Sequence, residues 1–279
     1  MFNRLFQGWF AGAGNGHTGG PGQEALYEQA RDLLLTSAHT LVLTGAGIST
    51  PSGIPDFRSP GSGLWEYVDP MEVASIWGFR EDPVRFYRWI RPLAEKMRRA
   101  RPNPAHRGLA ELEQGGHVHQ IVTQNIDDLH QQAGSRNVIH LHGRAGRMVC
   151  LDCGHGQEEE RFWQEALARP EVEVPRCPCC GGLMKPDVVL FGEELPQEAL
   201  RTAQQAALGC DLVIVVGSSL EVMPAADLPL LAKRRGARLL ILNLGRTMAD
   251  SQADLIIRED VAVSIPRLVQ MVQAAEGRG

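Results

Sequence analysis

Thr40-Leu41-Val42-Leu43-Thr44-Gly45-Ala46-Gly47-Ile48-Ser49-Thr50-Pro51-Ser52-Gly53-Ile54-Pro55-Asp56-Phe57-Arg58-Ser59 opens as a short apolar strand and breaks into a loop of glycine, serine, proline, aspartate, phenylalanine and arginine. The apolar run fits a buried strand. Glycine at a strand exit lets backbone approach a ligand, because no Cβ intervenes. Free amides and the Ser49 hydroxyl are therefore expected to face a phosphate or a ribose. Gly45-x-Gly47 is an incomplete dinucleotide fingerprint: Thr50 stands at the third glycine, and no acidic ribose anchor follows about twenty residues on. A conventional dehydrogenase fits badly.

Outward from this loop, strands are expected at Val118–Thr123, Val138–Leu141, Val188–Phe191, Leu212–Val216, Leu239–Asn243 and Leu255–Ile257. Helical patterns cover Gln23–Ala38, the segments opening at Pro83 and Pro104, and those opening at Pro196 and Pro224. In the Pro83 helix, Val84, Tyr87, Ile90, Ala94 and Met97 form the expected apolar face. Alternation of this kind gives an α/β fold: a Rossmann-type, largely parallel sheet with helices on both faces. The exits Thr44-Gly45, Thr123-Gln124, Val216-Gly217 and Leu242-Asn243 then converge on one crevice. The expected division is a flexible Gly-rich segment at 1–22, a nucleotide-binding domain from 23–143 and 186–279, a helical insertion at 59–101 and a zinc module at 144–185.

Composition narrows the function. The chain has 279 residues, 43% of them hydrophobic, and a net charge of −5. That size buries a sizeable core, and that charge gives no footprint for nucleic acid. No apolar run is long enough to span a bilayer. Met1–Phe10 places Phe2, Leu5, Phe6, Trp9 and Phe10 at helix-like spacing without a signal-peptide pattern. Six cysteines without an export signal point to metal or free thiols, and to a cytoplasmic location.

Cys150-x-x-Cys153 and Cys177-x-x-Cys180 are two knuckles that can close one tetrahedral, structural zinc site. Cys179 and His155 are rival ligands; Cys210 fits the core. Thr123-Gln124-Asn125-Ile126-Asp127 sets amide and acid groups just past a strand, suited to ribose hydroxyls and a carboxamide or, alternatively, to a helix N-cap. In His140-Leu141-His142-Gly143 only one imidazole is expected to face the crevice, with His142 favoured as a general base. His130, His117 and His119 fit structural roles.

These motifs, with Pro186-Asp187-Val188-Val189-Leu190-Phe191-Gly192-Glu193 and Gly217-Ser218-Ser219-Leu220, occur together and in order. The collection resembles the sirtuin family of NAD-dependent protein deacylases. The resemblance implies removal of acyl groups, acetyl above all, from lysine side chains, giving nicotinamide and O-acyl-ADP-ribose. It places Gly45, Ala46, Gly47, Ser49, Asp56, Phe57 and Arg58 around NAD, Gln124 on the nicotinamide-side ribose, and Ile126 with Asp127 on the carboxamide. Gly217, Ser218, Ser219 and Asn243 hold the adenosine half. His142 matches the catalytic base, assisted by Asn125; Val189, Phe191, Gly192 and Glu193 line the acyl-lysine channel. Succinyl-preferring members carry Tyr-x-x-Arg, whereas here Arg91 follows Tyr87 one residue late, a rotation of about 100° on a helix. An uncharged acyl group is therefore expected. The same crevice could instead transfer ADP-ribose to protein or to water. A zinc-bearing adaptor would not need the catalytic set.

Overall fold

The computed structural model describes residues 21–56, 68–158 and 174–277. Its strands are β1 (Thr40–Thr44), β2 (Gln120–Thr123), β3 (Val138–His140), β4 (Gly143–Cys150), β5 (Gly156–Glu158), β6 (Met184–Val188), β7 (Leu212–Val216), β8 (Arg238–Leu242) and β9 (Leu255–Ile257). Its helices are α1 (Pro21–Thr36), α2 (Pro70–Val73), α3 (Ile76–Glu81), α4 (Pro83–Arg99), α5 (Pro104–Gln114), α6 (Leu129–Ala133), α7 (Gln197–Gly209), α8 (Leu228–Arg234) and α9 (Val261–Glu276). The tract expected at 1–22 lies outside the described residues up to position 20, and α1 begins at Pro21.

Six strands form one sheet in the order β3-β2-β1-β7-β8-β9, every pairing parallel. The chain builds outward from β1 on one side, then from β7 on the other. The order therefore reverses between β1 and β7, where such sheets open a crevice beyond their strand ends. Alternate residues serve opposite faces. Val42, Ile121, Ile214 and Leu240 share a core with α1, α5 and α9. Leu41, Leu43, Val122, Val213, Val215 and Leu239 share another with α7 and α8. Burial on both faces explains why these strands are apolar throughout rather than alternating.

One expected strand belongs elsewhere. Val188–Phe191 does not join the parallel sheet; only Val188 is in a strand, at the end of β6, which pairs antiparallel with β4 in a three-stranded sheet ordered β5-β4-β6. Its backbone partners explain the difference. Val189 donates its N–H to the His142 carbonyl at 2.9 Å, and Phe191 exchanges bonds with Ala74 and Ile76 at 2.9 and 3.0 Å. Those groups hold the segment across the mouth of the sheet, away from its edge.

The small sheet and the helical segment form one body. Phe79, Phe86, Tyr87, Ile90, Leu93 and Ala94 pack with Met148, Cys150, Cys177, Met184 and Leu190 in a third core. Tyr87 donates its hydroxyl to the Met184 carbonyl at 2.8 Å, tying α4 to β6. Asp82 caps α4, accepting from Arg85 N–H at 3.0 Å, with Pro83 in the first turn. Val84, expected on the apolar face, is exposed; Phe86 and Leu93 are buried in its place.

Candidate active site

The strand exits of β1 and β2 meet a cavity of about 790 Å³ between the sheet and the small module. Ala46, Ser49, Gln124, Asn125, Ile126, Asp127 and His142 line one side, and Val189, Phe191, Gly192 and Glu193 line another. Gly45, Gly47, Gly217, Ser218, Ser219 and Asn243 lie along the adjoining exits of β1, β7 and β8. Asp56 is half-buried at the end of the first loop. Phe57 and Arg58 lie outside the described residues.

The glycine loop differs in detail from the sequence expectation. Gly45 donates to Val216 O at 3.1 Å, Gly47 to Gly217 O at 2.8 Å, Ile48 to Gly45 O at 3.1 Å and Ser49 to Ala46 O at 3.0 Å. These amides serve the protein, leaving none of the four free for a phosphate. The glycines are required by the neighbouring loop: a Cβ on Gly47 would lie 2.8 Å from Gly217 O, and one on Gly217 (φ +61) would lie 2.4 Å from Ile48 N. The loops leaving β1 and β7 thus rest backbone on backbone.

Polar side chains behind the cavity are connected. Ser49 donates its hydroxyl to Asp127 Oδ2 at 2.8 Å, and Asn125 Nδ2 donates to Ser49 Oγ at 3.0 Å and to Gly45 O at 3.1 Å. Asp127 also accepts from Leu129 N–H at 3.1 Å. Burial raises the Asp127 pKa, partly offset by those two donors. Asn125 and Asp127 therefore brace the loop, while Gln124, half-exposed, donates to Ser218 Oγ at 3.0 Å across the crevice. Thr44 donates to Thr123 Oγ1 at 2.9 Å, so its contact with His130 Nε2 at 3.0 Å requires the imidazole to be the donor. His130 in turn meets His106 edge to face, with ring centroids 5.0 Å apart. Burial drives the pKa of both down, His106 to about 4.

The two histidines of the second motif take different surroundings. His140 sits with Gln131 and the Asn125 carbonyl, away from the cavity lining. His142 lines the cavity, and its Nδ1 lies 2.7 Å from the Gln124 carbonyl. A carbonyl only accepts, so Nδ1 carries the hydrogen and Nε2 keeps its lone pair. Burial lowers the His142 pKa, opposed by that backbone bond. The imidazole is thus held neutral, in a basic tautomer. Gly143 (φ +75) follows it because a Cβ there would lie 2.0 Å from Asp187 O.

Glu193 has a further role. Its carboxylate accepts from Leu190 N–H at 2.9 Å and pairs with the buried Lys185 at 3.1 Å. It shapes the turn that presents Val189–Gly192. Sequence reasoning assigns no part of α4 to the cavity, yet Phe86, Trp89, Ile90, Leu93 and Met97 form one of its walls. Ile90 and Met97 belong to the apolar face expected for that helix, while Phe86, Trp89 and Leu93 do not.

Cys150, Cys153, Cys177 and Cys180 bring their Sγ atoms within 4.8 Å of one another. Neighbouring sulfurs are 3.5, 3.6 and 3.5 Å apart. Tetrahedral zinc with bonds of about 2.3 Å needs sulfurs about 3.8 Å apart, so the cluster fits one such ion. Four thiolates leave no position for substrate, which makes the ion structural. Cys179 is exposed and outside the cluster, and Cys210 is buried.

Among the described residues no helix is long and apolar enough to cross a membrane. The Sir2 family model matches residues 45–224. The NAD-dependent protein deacylase 2 of Archaeoglobus fulgidus is 46% identical over 246 residues, covering 88% of this chain and 95% of the relative. A solved Sir2 enzyme superposes with a TM-score of 0.83 at 45% identity, covering 90% of this chain and 99% of its own. A solved Sir2 variant with a deacetylated p53 peptide and 3′-O-acetyl ADP ribose gives a TM-score of 0.81 at 42% identity, covering 90% and 98%. A reversed-order parallel sheet, a four-thiolate module and an imidazole facing the crevice thus accompany close likeness along most of the chain, which belongs to the Sir2 family.

Proposed function

We propose that the chain removes acyl groups from lysine side chains of proteins, consuming NAD and releasing nicotinamide and O-acyl-ADP-ribose. The observation that carries this reading is His142, neutral and with Nε2 available, in a cavity lined by the Val189–Gly192 segment. Relatives named as NAD-dependent protein deacylases and a solved Sir2 variant with a deacetylated p53 peptide and 3′-O-acetyl ADP ribose support it.

In the proposed reaction nicotinamide leaves the ribose C1′ and the acyl oxygen of the bound lysine takes its place. Gln124 would hold the nicotinamide-side ribose, Ser218, Ser219 and Asn243 the adenosine half, and Ile126 with Asp127 the carboxamide. Asn125 holds Ser49 and the Gly45 carbonyl, keeping the loop in register with the departing group. Val189 and Phe191 align the acyl-lysine so that its weak nucleophile points in line, a positioning contribution. His142 Nε2 would then accept a proton from a ribose hydroxyl, which attacks the acyl-imidate carbon. Water adds at that carbon and its C–N bond breaks, releasing the free lysine amine and leaving the acyl group as an ester on ADP-ribose. Phe57 and Arg58 are assigned to the NAD side by motif. Four reduced thiols suit a cytoplasmic setting.

His142→Ala is expected to lower kcat at least about a hundredfold, within the usual range for losing a general base, with fold and zinc content kept. Wild-type kcat/KM should show an acid limb below pH 6.5, because burial depresses the imidazole. Mass spectrometry supplies the check: free ADP-ribose in place of O-acyl-ADP-ribose would favour ADP-ribosyl transfer to water and overturn the deacylase reading.

A further inference from the structure

Two buried imidazoles behind the cavity each leave one nitrogen without a partner among the described residues: His106 Nε2 and His130 Nδ1. Both side chains are wholly inaccessible, and a buried polar group left unbonded is costly. Burial lowers both pKa values, which keeps the rings neutral. Their other nitrogens then decide what the two orphans are. His106 Nδ1 accepts from the Asn103 N–H at 3.4 Å, so its hydrogen sits on Nε2. His130 Nε2 donates to Thr44 Oγ1 at 3.0 Å, so its Nδ1 keeps a lone pair. One orphan is a donor and the other an acceptor, on rings whose centroids are 5.0 Å apart. Ring nitrogens lie at the rim, so a small tilt brings them within hydrogen-bond range.

The pair joins two halves of the site. On the His106 side, Asn103 Nδ2 donates to Ile48 O at 2.7 Å and to Ser52 Oγ at 2.9 Å, anchoring the glycine loop. On the His130 side, Thr44 donates to Thr123 Oγ1 at 2.9 Å, and that oxygen also accepts from the Asn125 N–H at 3.1 Å. Asn125 returns to the glycine loop through Ser49 and Gly45. Hydrogen bonds and adjoining backbone thus form a circuit behind the cavity, with its gap between the two imidazoles.

We propose that His106 Nε2–H donates to His130 Nδ1, closing this circuit, and that both are positioning residues that fix the spacing between the 45–53 loop and residues 123–127. The role rests on the deacylase reading, in which those two segments hold the nicotinamide half of NAD. Neither imidazole touches the reacting atoms; one acts through Asn103 and the other through Asn125. Phenylalanine would fill the space of His130 while bonding neither Thr44 nor His106. Glutamine matches the shape less well but carries both a donor and an acceptor.

Two measurements test the proposal. In wild-type protein with isotope-labelled histidine, NMR should read both imidazoles as Nε2–H tautomers, with a scalar coupling between His106 Nε2 and His130 Nδ1. An Nδ1–H tautomer at His130, or no coupling between the rings, would overturn the bond. His130→Phe should lower kcat on an acetyl-lysine peptide at least about tenfold while KM moves less than about threefold, as misplaced reacting groups require. His130→Gln should recover most of that loss. A packing role would give the opposite order, so a kcat for His130→Phe at or above that of His130→Gln would overturn the positioning role. The wild-type spectrum decides where a variant fails to fold. Absence of NAD-dependent turnover by the wild-type chain would instead remove the deacylase reading and leave the spectrum as it is.

Discussion

The parallel sheet and the small module bury hydrophobic surface by different means. In the sheet, β1, β7 and β8 are flanked on both sides by strands and on both faces by helices, so Leu43, Ile214, Leu239 and Ile241 are almost wholly inaccessible. In the module, three short antiparallel strands lean on α4, and two of its core members, Cys150 and Cys177, are also metal ligands by chemistry. The sheet draws its stability from area removed from water; the module is too small for that alone and depends on a cross-link. The site lies between a self-sufficient part and a dependent one.

Metal removal tests that contrast most severely. Stripping the thiolate site with a chelator should cost on the order of 10 kcal/mol locally. Hydrogen-exchange protection should collapse in β4, β6 and α4 while β1, β7 and β8 stay protected. Uniform loss across both parts would break the comparison.

Next comes the contact joining the loops of the sheet. Gly217→Ala introduces a Cβ 2.4 Å from Ile48 N at φ +61 and should destabilise by more than about 2 kcal/mol, read from the urea midpoint. A wild-type midpoint would mean that the loops separate easily.

Acid should weaken the sheet side through its buried imidazoles. The folded-state pKa of His106 is lowered from 6.5 to about 4 by burial, so the unfolded chain binds the proton first. Its stability contribution is complete above pH 6.5 and declines as pH falls toward 4, by about 3 kcal/mol in total. His130, depressed in the same direction, adds to the slope. Urea midpoints measured across that window should fall less steeply for His106→Gln than for wild type; parallel slopes would contradict the assignment.

Smallest of all is the exposed Arg99–Glu95 pair on α4. Arg99→Ala should shift stability by no more than about 0.5 kcal/mol, and a larger loss would show α4 to be more fragile than its packing indicates.

Much of the sheet was legible because double burial writes itself as an unbroken apolar run, as in Leu212–Val216. Thr123–Asp127 stood out as polar groups just past a strand, with a helix N-cap as the competing explanation, and His142 stood out as the imidazole that precedes Gly143. Val188–Phe191 misled, since the same apolar composition serves a segment pinned by His142 and Ala74, and composition carries no record of partners. The α4 stripe was misassigned for a related reason. An amphipathic period identifies apolar positions, but Phe86 and Leu93 are distinguished from Val84 only by what the folded chain brings opposite them.

The seat shared by Gly47 and Gly217 has a consequence for transplanting this chemistry. Neither loop is a portable motif: each supplies the floor on which the other stands, though they come from distant parts of the chain. Grafting the first glycine run onto another parallel sheet would deliver its letters without their foundation. A working graft must carry both hairline-fitted pieces and the spacing of the two strands that launch them.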